Sequence, residues 1–376
     1  MDCDVVEQMW ADQDVVLKRV RKAGLLLAHA STYLRGSREV VLEAVRQNGL
    51  ALMHASAELR ADLEVVLEAV RQNGVALRHA GVGMRGSTEV GKAAVQQNGL
   101  VLLHASDEVR ADREVVLHAV RQNGLALQHA LGEVPADREV VLEAVRRSGA
   151  VLQYAAVALR GDREVVLAAV RQHGRCLQHA APELQGDGEI VREAVGQAGI
   201  ALEFASWGLR GDREIVLAAV RQAGGALQHA QDELAADREV VLEAVRQKGS
   251  VLFDYAAAEL RRDRELVLEA VRQNGKVLIH LMGNPELHND REVVLAAAQS
   301  QGESLRYAPL ALRADREVVL AAVRRHGPAV ELADERFLAD REVVLEAVQQ
   351  TGTVLYKVAA ELQADREVVL AAVRQS

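Results

Sequence analysis

The chain has 376 residues, 49% of them hydrophobic, 26% charged and 3% aromatic, with a formal net charge of −9. That apolar fraction excludes a disordered chain, and five prolines with 28 glycines exclude collagen and low-complexity sequence. The negative charge disfavours broad binding to nucleic acid or anionic membranes, and two cysteines, Cys3 and Cys176, are too few for a disulfide framework.

At the N-terminus, MDCDVVEQMW is acidic and lacks a signal-peptide core. From Asp12 onward one unit, close to DREVVLEAVRQNG followed by LALQHASAELRA, is copied fifteen times. The copies open at Asp12, Ser37, Asp62, Ser87, Asp112, Asp137, Asp162, Asp187, Asp212, Asp237, Asp263, Asp290, Asp315, Asp340 and Asp365. The spacing is 25 residues except for 26 after Asp237 and 27 after Asp263.

With the opening residue as position 0, Asp or Ser there is a helix N-cap, and position 2 is acidic in every copy, near the positive end of a helix dipole. Positions 3, 4, 7 and 8 are Val, Val, Ala and Val in most copies and form one apolar stripe. A glycine at position 12, from Gly24 to Gly352, fits a left-handed residue closing the helix. Positions 1–11 are therefore predicted to form a helix ~16 Å long. In the second half, Leu or Val at position 15, Ala at 18 and Leu at 22 predict a second, shorter helix, α or 3₁₀, followed by a turn. One such unit cannot bury both helices, whereas stacked copies can, so the predicted fold is an all-α solenoid.

The pattern D-x-E-x-V…A-V…N-G…L…A…L resembles the tandem-repeat family known as domain of unknown function 4116, over nearly the whole chain from Asp12 to Ser376. That family carries no assigned activity, so the resemblance implies a fold and supplies no site. The pattern is also loosely similar to the leucine-rich variant repeat, which implies a right-handed superhelix of alternating α and short 3₁₀-like helices. The expectation is one continuous right-handed α-solenoid over residues 1–376, with irregular repeats at 253–289. Neither terminal copy has a polar capping face, as expected of a piece of a longer array. The extra residues fall around Phe253-Asp254-Tyr255 and within Leu281–Asn289, and leave the long helices intact. Pro285 predicts that the second insertion is a non-helical bulge.

Histidine occupies position 17 in eight copies: His29, His54, His79, His104, His129, His179, His229 and His280. Tyr154, Phe204 and Tyr307 stand at the same position, so the column reads as packing of planar rings rather than as metal ligands. Arginine recurs at positions 1 and 9, eleven times each. Position 2 is always acidic and position 6 often Glu, so these arginines read as a mutually neutralised outer face rather than a phosphate track. Gly81-Val-Gly83-Met-Arg-Gly86 matches a dinucleotide fingerprint, but no strand precedes it and it occupies an inter-repeat turn. Cys176 replaces Ala or Val and reads as a small core residue.

No residue stands out as a catalytic exception to the repeat. The expectation is a non-catalytic scaffold for protein or peptide partners, without metal or cofactor, intracellular and cytoplasmic, and monomeric unless built into a larger assembly. The alternatives are a spacer subunit of such an assembly and, less favoured, a repeat-based nucleic-acid binder. Trp207, Phe253 and Tyr255 are the candidate partner contacts, because aromatic side chains off the repeat pattern are enriched at binding hot spots.

Overall fold

The computed structural model describes residues 8–375, so Cys3 lies outside the described residues. Every regular element among them is a helix. The chain forms two compact units, residues 1–193 and 194–376, with the boundary inside the long helix Gly188–Gln197. Each unit is an all-α repeat solenoid in which long helices of successive copies pack side by side over a layer of short helices.

Each regular copy holds three helical pieces. Positions 1–10 form the long α-helix, as in Arg38–Gln47 and Arg138–Arg147. Positions 12–17 form a 3₁₀ helix, as in Gly49–His54. A single turn follows, α in Val82–Arg85 and 3₁₀ in Leu59–Ala61. The second half thus contains two pieces where the sequence predicted one, because the residues at positions 18 and 19 adopt extended backbone between them.

Capping explains where the long helix starts. The Asp62 carboxylate accepts from the Val65 amide at 3.0 Å, and Asp162 accepts from both Glu164 and Val165. Ser37 makes no such bond although it occupies the same position. The helix ends at position 10, one residue early, because position 11 is extended: Asn48 has φ −151° and ψ 109°. Its side chain then caps the 3₁₀ helix by accepting from the Leu50 amide at 3.0 Å.

The recurring glycine has a different cause from the one predicted. Positive φ occurs at Gly132 and at no position-12 glycine among the described residues. A Cβ on Gly49 would lie 2.2 Å from the carbonyl oxygen of Ala69, and one on Gly149 would lie 2.3 Å from that of Ala169. Glycine is required there because the next copy's backbone passes too close for any side chain. The position-10 glutamine of the next copy seals the junction: Gln72 Oε1 accepts from the Gly49 amide at 2.6 Å.

Main-chain bonds also join the single turns. The Ser56 amide donates to the Arg35 carbonyl at 2.9 Å, and the Ala181 amide donates to that of Arg160 at 2.8 Å. The core lies between these layers. Val20, Val45, Val70, Val120, Val170, Val220 and Val323 are buried, as are Leu52, Leu77, Leu127, Leu177 and Leu227, in agreement with the sequence pattern. Cys176 is buried with them, and that burial raises its thiol to a pKa of about 11.

The irregular copies keep their long helices, Arg238–Gln247, Arg264–Gln273 and Arg291–Ser300, as expected. In the first, an α-turn, Val251–Asp254, replaces the 3₁₀ helix. In the second, the 3₁₀ helix grows to nine residues, Gly275–Gly283. The predicted non-helical bulge is absent: Pro285 opens the turn Pro285–His288, where proline's missing amide leaves no bond unmade and its fixed φ suits a first helical residue.

Candidate binding surface

The long-helix edge is neutralised from within. Arg138 donates from Nε to Asp162 at 2.8 Å and from Nη2 to Glu164 at 2.5 Å, both in the following copy. Arg113, Arg163, Arg213, Arg238, Arg264, Arg291, Arg316 and Arg341 repeat the arrangement. Several position-9 arginines pair with glutamates at position 6, as in Arg21–Glu43 at 2.8 Å and Arg246–Glu243 at 2.7 Å, while Arg146 meets Glu164 at position 2. The Arg138 guanidinium and the Val165 amide hold the Asp162 carboxyl below the usual carboxylate range. This ladder agrees with the reading of a solvated, mutually neutralised face.

The 3₁₀-helix ends and single turns carry no such ladder among the described residues. At position 23 an arginine recurs two residues before the next copy: Arg35, Arg60, Arg85, Arg110, Arg160, Arg210, Arg261 and Arg313. Each is half-buried, with its aliphatic stem against the stack. Arg110 Nε donates to the His129 carbonyl at 2.8 Å, and Arg261 and Arg313 donate to the Ala256 and Ala308 carbonyls at 2.9 Å. In Arg35, Arg60, Arg85, Arg160 and Arg210, Nε is buried and has no partner. The sequence reading weighed the arginines at positions 1 and 9 and passed over this column. The signal was present in the recurrence of arginine two residues before the next copy opens.

Each of these arginines except Arg313 precedes a copy that has histidine at position 17. His54, His129 and His179 are held below the usual histidine range, first by burial and then by the charge of Arg35, Arg110 and Arg160 respectively. His79 and His104 are lowered by burial, then by Arg78, with Arg60 and Arg85 adding to it. His54, His79, His104, His129, His179 and His229 are thus half-buried planar rings, as the packing reading expected, whereas His29 and His280 are exposed. Among the described residues no three His, Cys, Asp or Glu side chains come together as a metal cluster.

Residues at position 20, the first of the single turn, project outward and vary from copy to copy. Val82 is 76% exposed, Val157 72% and Trp207 69%. Trp207 sits on such a turn with the Arg210 guanidinium 5.7 Å from its ring centroid. Phe253 is half-buried and stacks on His280, with centroids 5.0 Å apart and planes 18° apart. That pair walls a cleft of ≈310 Å³ with Arg261, Arg262 and Asn284. Tyr255, which follows the α-turn, is exposed and lines no part of that cleft. The structure therefore brings both Phe253 and Trp207 beside arginines of the position-23 column and leaves Tyr255 as a separate exposed ring. The fingerprint-like Gly81–Gly86 segment forms the single turn Val82–Arg85.

These features define a class: a helical-repeat protein whose position-1 arginines pair between copies and whose single turns carry arginines at position 23 and variable residues at position 20. Overlapping matches at residues 12–60, 37–85, 92–133, 137–185, 162–210, 212–261, 237–282, 263–313, 315–363 and 340–376 then place it within a known family. The chain belongs to the domain of unknown function family DUF4116. No curated protein matches it. Among the described residues no helix is long and apolar enough to cross a membrane.

Proposed function

We propose that the protein is a non-catalytic scaffold that holds an extended protein or peptide segment along the edge formed by the 3₁₀-helix ends and single turns. The observation that carries this reading is the contrast between the edges. The arginines at position 1 are paired within the array, whereas those at position 23 keep their charge beside outward-facing, variable side chains at position 20. Repeat stacks offer such a surface as one side chain per position per copy, so a partner is read along its length. The non-catalytic part of the proposal is supported by the structural duties of the recurring acids: opening aspartates such as Asp62 cap helices, and glutamates such as Glu164 and Glu43 pair with arginines.

Photo-crosslinking residues placed at Val82 and Val157, and separately on the long-helix edge at Arg121 and Arg146, test the reading in extracts of the native source. A protein captured from the first pair and not from the second supports it. Equal capture from both, or capture of nucleic acid alone, overturns it.

A further inference from the structure

The copy containing Arg110 differs from others in having an internal carboxylate beside its position-23 arginine. Asp107 occupies position 20 there, and its Oδ1 lies 3.3 Å from Arg110 Nη1. With that carboxylate in place, Arg110 Nε reaches the His129 carbonyl. The neighbouring copies have Ala57, Val82 and Val157 at position 20, beside Arg60, Arg85 and Arg160. Among the described residues no carboxylate lies within ion-pair distance of those three arginines, and each keeps an orphaned Nε. Glu58, two residues before Arg60, is exposed and is held low mainly by its own backbone amide and Ser56, with a smaller contribution from the Arg60 charge. Arg78, the other cation on this edge, donates to His79 at 2.9 Å and adds to the positive charge.

We infer that Arg60, Arg85 and Arg160 take carboxylates from an acidic, extended peptide, each at the place that Asp107 fills for Arg110. This rests on the scaffold reading above and names the partner's chemistry. Successive copies stack at roughly 8–10 Å, the distance between packed helices, and an extended peptide advances about 3.3 Å per residue. Acidic side chains three residues apart in the peptide therefore meet Arg60 and Arg85 in successive copies, and one about nine residues further on meets Arg160, three copies beyond Arg85. Guanidinium is suited to the task because its planar fork matches a carboxylate.

The test adds or removes the internal carboxylate at exposed positions, where folding is least at risk. The probe is a fluorescein-labelled peptide of about 15 residues built from Glu-Ser-Gly triplets, its binding read by anisotropy. The double variant Val82→Asp, Val157→Asp, which supplies carboxylates in cis, is expected to weaken binding about tenfold, on the basis of roughly threefold per exposed ion pair. Asp107→Ala, which frees Arg110, is expected to tighten it about threefold on the same basis. The inference is overturned if Val82→Asn weakens binding as much as Val82→Asp, since charge is then not the cause. It is also overturned if the peptide does not bind while single-stranded nucleic acid does. A native partner that crosslinks to this edge yet binds all three variants like the unaltered chain overturns the acidic-peptide inference and leaves the scaffold reading standing. Crosslinking to the other edge alone overturns the scaffold reading itself.

Discussion

Two adjacent glycines show how sharply a single position is constrained. A Cβ on Gly224 would lie 2.4 Å from the Ala244 carbonyl oxygen, whereas one on Gly225 would meet nothing within 4 Å. Gly224→Ala is therefore expected to cost roughly 1–3 kcal/mol, or more because the obstacle is backbone. Gly225→Ala is expected to be neutral or to stabilise by about 0.4–1 kcal/mol, by restricting the unfolded chain. Denaturant unfolding of the two variants checks the pair, and equal effects would refute the close-approach account. The spacing of these glycines was legible in the sequence, but their cause was not. A glycine closing a helix and a glycine under a neighbouring carbonyl look alike until the next copy is in place. The column at position 23 was missed for a related reason. Its arginines belong to a four-residue turn too short to show a periodic face, so attention went to the long helix.

At the scale of the element, the long helix depends on its cap and its stripe. Asp162 accepts from two amides, so Asp162→Ala should cost about 1 kcal/mol. Ser37 makes no capping bond, so Ser37→Ala should cost close to nothing. Thermal melts of the two variants separate these outcomes. Val170 is fully buried, and Val170→Asp places an unpaired carboxylate in the stack, which should cost several kcal/mol. An unchanged melt would mean that the helix register is wrong. That register was readable from the sequence alone, because valines and alanines at 3, 4, 7 and 8 leave only one face to bury. The nine-residue 3₁₀ helix at Gly275–Gly283 was not readable. Pro285 was taken as a break, but proline breaks a helix only from within and opens one readily.

Across the whole chain, acid should act in two stages. Burial, with the neighbouring arginines, holds His54, His79, His104, His129 and His179 below the usual range. The unfolded chain protonates these rings near pH 6.5, about the ordinary histidine value, while the folded chain resists. Their contribution to stability is thus fully present above about pH 6.5 and is lost as pH falls through the lowered values. The capping carboxyls of Asp162, Asp237, Asp290 and Asp315, bound by Arg138, Arg213, Arg264 and Arg291, are also held low. Their contribution survives until pH drops below about 3.9. The melting temperature is expected to be flat from about pH 8 to 7 and to decline from about pH 6.5 to 5. Replacing His79 and His104 by Gln should flatten that decline. A melt that first falls only below about pH 4 would contradict the histidine account.

The junction chemistry also makes the array editable. Many copies are completed by the next, which supplies a glutamine that seals the glycine, as at Gly49, acids that meet the position-1 arginine, as at Arg138, and an amide that continues the main-chain ladder, as at Ser56. Excising residues 137–161 would bring Asp162 and Glu164 to Arg113 in place of Asp137 and Glu139, and would set the Ala169 carbonyl against Gly124. Copy number is then a dial that can be turned without redesigning a joint, and the length of the readable edge changes with it. Excision of that whole block should leave a folded chain with unaltered far-ultraviolet circular dichroism per residue, whereas removal of only half of it should not.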